Sequence, residues 1–170
     1  MEPVDGERIS EPIDGDERSV LLGWLAFYRD GLVVKCAGLS AGDLVAKALP
    51  PSRLTLLGLV RHLSEMERVY AVYALGPPGE LKFVYGDYED GGPEWDFDVD
   101  ASMVDESFSR WADERRAADG VIARYPSLDS ISPGNGRSVR WNLQKLVGEY
   151  SRHCGHADLL RERLDGQTGE

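Results

Sequence analysis

Only two cysteines, Cys36 and Cys154, occur in the 170 residues. They are too few for a disulfide framework, form no CxxC pair, and match a reducing compartment. Positive charge is also scarce: 19 Lys and Arg face 30 Asp and Glu, a formal charge of -11. Such a chain repels the phosphate backbone that drives most nucleic-acid binding, so no nucleic-acid partner is expected. The longest wholly apolar runs, such as Val20 to Leu22, are a few residues long, far short of the roughly 20 that a transmembrane helix needs. No membrane partner is expected either. The acidic start "MEPVDGERISEPIDGDE" has no basic stretch leading into an apolar one, so no secretory signal is read there. These absences lead to a cytoplasmic protein, with residues 1–17 as a flexible arm and 18–170 as one globular domain.

Several familiar fingerprints are missing too. The glycines of "GPPGE", "GDYEDGG" and "SPGNGRS" fit neither a P-loop nor a dinucleotide-binding pattern, so a nucleotide cofactor has no support. The acidic positions Asp87, Glu89, Asp90, Glu94, Asp96, Asp98 and Asp100 alternate too irregularly for an EF-hand loop, and read as a solvated loop.

What the chain does have is helical periodicity. From Arg18 to about Gly38, Val20, Leu21, Trp24, Leu25, Phe27, Tyr28, Leu32 and Val34 recur at three and four. A short helical piece follows before "LPPSR". A second long helix starts with Ser52 as its N-cap and stops at Gly76 and the pair Pro77-Pro78. Its apolar stripe holds Leu56, Leu59, Leu63, Met66, Val69 and Tyr73, and His62 falls inside that stripe. A long connection over 76–103 leads to a third helix, with Phe108, Trp111, Ala112, Ala118 and Val121 or Ile122 inward. The fourth runs from about Val139 to Asp165, with Gly166 as its stop. The expected fold is all-α: an antiparallel four-helix bundle with a long loop between helices 2 and 3.

The last helix carries "EYSRHCGHADLL", which holds two of the three histidines. At about 100° per residue, Glu149, His153 and His156 fall within a strip about 60° wide, and Leu146 and Leu160 continue it. A Glu and two His thus occupy positions where leucines belong. Burying them unpartnered costs several kcal/mol, so they must pair or bind something. His62, the remaining histidine, can reach them from a neighbouring helix. A single inward His is more often a hydrogen-bonded core residue than a ligand. Three histidines with a carboxylate also suit Zn, Ni, Fe or Mn, and both readings stay open at this point. Glu149 can be read as a ligand, a general base or a group orienting an imidazole. Glu65, one turn after His62, reads as a solvated Glu ahead of an outer-shell partner, Glu67 is expected to point away, and Cys154 to be packed or partly exposed and not a nucleophile.

"PSRLTLLGLVRHLSEMERVY" and "RWNLQKLVGEYSRHCGHADLLRERLDGQTG" resemble the actinobacterial mycothiol S-transferase-like family, also called DUF664 or mini-circle-protein-like, within the DinB/YfiT superfamily. The resemblance runs from about Arg18 to Gly169. It implies a DinB-type metal-binding bundle whose ion is held by a His of the second helix and two ligands four apart on the last. These correspond to His62, Glu149 and His153, with Glu149 standing where many relatives have His. His156 would line the same pocket as a fourth ligand or a substrate contact, with Glu149 and His156 as the catalytic candidates. Lys145 departs from the family, where His is frequent. The resemblance further implies a divalent ion, Zn before Ni, Fe or Mn, with mycothiol or a similar thiol as co-substrate. The activity expected is S-transfer from that thiol to an electrophile, with the loop Gly86 to Asp100 capping the entrance and a homodimer as a possible assembly. Two alternatives come from other classes: a non-catalytic metal- or small-molecule-binding protein, and a metal-assisted hydrolase or isomerase with Glu149 as base.

Overall fold

The computed structural model describes residues 9–85 and 97–168. The acidic stretch 86–96, and with it most of the loop expected to cap the entrance, lies outside the described residues. The described residues form five α-helices and no strand: α1 (Glu17–Cys36), α2 (Ala41–Leu44), α3 (Leu56–Glu67), α4 (Val104–Ile122) and α5 (Val139–Asp165). The isolated bridge between Ile131 and Ser138 is the sole β-type pairing among them.

Local chemistry sets the helix ends. Asp16 accepts a hydrogen bond from the Ser19 N–H at 2.7 Å and caps α1, and Ser40 with Asp43 forms a capping box on α2. The cap of α3 is Thr55, whose hydroxyl accepts from the Gly58 N–H at 3.0 Å. Ser52, expected in that role, instead accepts from the Leu54 N–H in a local turn. Thr55 is the last polar residue before the unbroken apolar run from Leu56 to Leu59, so the helix begins where burial begins. α3 then widens into a π-helical turn over Arg68–Tyr73 before the chain leaves the helix. Ser138 caps α5, and Gly166 closes it at φ +79°, a left-handed conformation that a side chain resists.

α3 is the centre of the molecule: every one of its residues except His62 is buried. It packs on α4 and α5 and touches α1, while α1 lies along α5. Leu25 and Leu32 from α1 join Leu59 and Leu63 from α3, Trp111 and Ala118 from α4, and Leu146, Tyr150, Ala157 and Leu160 from α5 in one core. Val34, counted into the α1 stripe from spacing, is 37% exposed.

The core also contains a charged cluster that periodicity did not announce. Glu67 does turn away from His62, and it enters the core, fully buried. Arg29 of α1 donates to both of its oxygens at 2.7 Å, and the Tyr150 hydroxyl of α5 donates to Oε1 at 2.7 Å. Trp111 Nε1 of α4 donates in turn to the Tyr150 oxygen. Four helices are thereby tied at one point, and each buried polar group finds its partner. Residues 9–13 lie against this scaffold, the Ile9 N–H donating to Asp30. They wall a cavity of about 620 Å³ with Tyr28, Lys35, Cys154 and Asp158.

Candidate metal centre

The uninterrupted turns of α5 place Glu149 and His153 one above the other, and the buried Leu146 and Leu160 confirm that their strip faces inward. His62 meets them from α3. Its Nε2 stands 3.9 Å from Glu149 Oε2, and His153 Nε2 stands 3.7 Å from the same oxygen. The three donor atoms lie within 4.8 Å of one another. The two imidazole centroids are 4.5 Å apart, and Phe97 stacks against His62 on the outer side at 6.0 Å.

Burial, with the neighbouring His62 and His156 rings behind it, pushes His153 down to about 4. Its ring is therefore neutral at physiological pH, the state in which an imidazole nitrogen can donate a lone pair. The Glu149 carboxylate is divided between two tasks. Oε2 faces the imidazoles, while Oε1 accepts a hydrogen bond from Lys145 Nζ at 3.1 Å. That hydrogen bond, ahead of every other influence, raises the pKa of Lys145.

His156 sits beside the three without joining them: its Nδ1 is 3.2 Å from Nδ1 of His153. The direction of that hydrogen bond follows the tautomer: with His153 Nε2 left to ligate an ion, its Nδ1 would carry the proton and His156 would accept it. Glu65, expected in solvent, is 4% exposed. Its two oxygens accept the backbone N–H groups of Val84 and Tyr85 at 2.9 and 2.8 Å, which anchors the strand of chain following the α3 helix. Both thiols are placed away from the centre. Cys154 is buried and donates to the Tyr28 carbonyl, and burial pushes Cys36 up to about 12, so neither is a ready nucleophile. Lys145 enters the site through its contact with Glu149, a role its position four residues before that Glu allowed sequence to suggest.

The donor set fits a divalent ion. Separations of 3.7 and 3.9 Å are too long for hydrogen bonds, yet below the span of about 4.2 Å available to two ligands that each reach about 2.1 Å to a common ion. Two neutral imidazoles and one carboxylate oxygen form a typical ligand set for Zn and its neighbours, and three protein ligands leave coordination open to another molecule. No curated protein and no solved structure matches the chain. The family model described as Mycothiol-S-transferase does match, over residues 20–166. That span takes in all five helices save the first residues of α1, together with the three converging side chains, and the chain belongs to the mycothiol-S-transferase family.

Proposed function

We propose that this protein is a metal-dependent S-transferase that delivers the thiol of mycothiol, or of a similar low-molecular-weight thiol, to an electrophile. The observation that carries the reading is the convergence of His62, Glu149 and His153 from two helices in a chain of this family. His62, Glu149 and His153 would hold a divalent ion, and the chemistry it would supply is Lewis acidity that favours the thiolate form of a thiol at neutral pH. His62 and His153 would contribute ring nitrogens, and the buried surroundings of His153 hold that ring neutral. His156 accepts the Nδ1 proton of His153 and fixes its tautomer, as outer-shell partners of ligating histidines do. The transfer itself forms an S–C bond as the leaving group departs with its electron pair. Glu149 is the group beside the centre placed to accept the thiol proton, and the partly exposed His156, whose Nδ1 receives the His153 proton, offers its other ring nitrogen as a substrate contact. In this reading the four long helices form an antiparallel bundle of the DinB type, in the cytoplasm.

The test is elemental analysis of the purified protein together with conjugation of mycothiol to monochlorobimane. Near-stoichiometric metal and conjugate formation that falls at least a hundredfold in H62A and H153A are expected, in line with the loss of a ligand. Metal-loaded protein that conjugates no thiol to any electrophile overturns the transferase reading and leaves a binding protein.

A further inference from the structure

Lys145 is a cation in direct contact with the candidate metal centre, through Glu149. Its Nζ holds Glu149 Oε1 at 3.1 Å, and it lies 5.5 Å from the centroid of the Tyr70 ring. Tyr70 belongs to the π-helical turn Arg68–Tyr73, and its ring also meets Trp141, one turn before Lys145 on α5, at 6.0 Å. π-turns insert an extra residue per turn, re-aim side chains, and recur at functional sites. The widened turn supplies an aromatic face on which the ammonium rests. From there it reaches one oxygen of Glu149 and leaves the other to the imidazoles.

We infer that Lys145 is a positioning residue that makes Glu149 a one-oxygen ligand and sets the net charge of the centre. The inference rests on the proposed metal-dependent function and deepens it. Two neutral imidazoles, one carboxylate and one ammonium sum to zero, so a bound dication keeps its full charge of two toward whatever it coordinates. Without the ammonium the sum is one unit more negative, and Glu149 Oε1 is released to turn to the ion as well. Lys145 thus weakens cation affinity while keeping the centre more electron-withdrawing, which favours ionisation of a coordinated thiol.

Co(II) titration of the full chain tests this by visible absorption and by competition with a chelating dye. The lysine side chain is 43% exposed, so K145M should fold and melt as the parent does. Loss of the positive charge held 3.1 Å from Glu149 Oε1 is expected to tighten Co(II) binding on the order of tenfold. Conversion of Glu149 to two-oxygen coordination should weaken and shift the d–d bands. K145R, which keeps the donor, should retain the parent spectrum, and Y70L should move partway toward K145M. A K145M spectrum and affinity equal to the parent's, or a weaker affinity with an unchanged spectrum, overturns the inference alone. A parent protein that takes up no Co(II) overturns the metal-dependent reading and the inference with it.

Discussion

Glu67 is a carboxylate with no exposed surface, held by Arg29 through both oxygens and by Tyr150 through one. An ion pair of this kind has already met the cost of leaving water, and its members depend on each other far more than the fold depends on the pair. Replacing Glu67 by Leu leaves the Arg29 guanidinium facing apolar groups, with only the largely exposed Asp119 as counter-charge. It also leaves the Tyr150 O–H without its acceptor, although the oxygen keeps the hydrogen bond from Trp111. A loss of about 3–5 kcal/mol is expected for E67L, and R29M/E67L should recover most of it. Equilibrium denaturation in urea measures both, and a cost for E67L under about 1 kcal/mol would show that Asp119 alone suffices for Arg29. The same residues show the limit of reading charge from sequence. Arg and Glu are almost never fully buried without a partner, so a spacing argument sends them to solvent. Their burial here depends on partners 38 and 83 positions away in the chain. Glu65 was misjudged for the same reason, its partners being backbone N–H groups of a segment without regular structure.

At the scale of elements, the helices were largely legible because apolar side chains at three- and four-residue spacing have one geometric solution, and Gly166 ended α5 where expected. The π-turn was not legible, since its apolar pattern matches that of an ordinary helix. The end of that turn is closely packed at Gly134. Its N–H donates to the Ala74 carbonyl at 3.0 Å, which brings the loop before α5 so close that an added Cβ would sit 2.3 Å from the Tyr73 carbonyl oxygen and 3.0 Å from Ala74 Cα. Both obstacles are backbone, so neither can swing aside. G134A should therefore cost about 1–3 kcal/mol by overpacking, whereas G120A, on the exposed face of α4 with open space around it, should be neutral or slightly stabilising. Thermal melts of the two variants provide the comparison. Equal melting temperatures would mean that the loop and the end of the π-turn yield together and do not brace each other.

For the molecule as a whole, the site was legible where one helix carried it and uncertain where two did. Glu149, His153 and His156 share a face by the arithmetic of a single helix. That His62 would meet two of them, with His156 behind His153, depended on how α3 and α5 pack. This division makes a prediction about stability. An ion bound by His62 on one side and by Glu149 and His153 on the other joins α3 to α5 and exists only in the folded chain, so it stabilises by mass action. At zinc a hundredfold above its dissociation constant the gain is about 2.7 kcal/mol, which for a chain of this size raises the melting temperature by roughly 5–10 °C. EDTA should remove that increment from the parent. H62A and H153A should lack it from the start, and H62A should melt in EDTA close to the apo parent, because His62 is the residue of α3 that the core does not enclose. H156A separates the remaining roles. His156 touches only the far nitrogen of His153, so its loss should leave most of the zinc increment while weakening affinity about 10–100-fold, the usual effect of removing an outer-shell partner. If H156A abolished the increment as completely as H62A does, His156 would have to be counted among the ligands, with a rearrangement of α5 side chains on binding to bring it there.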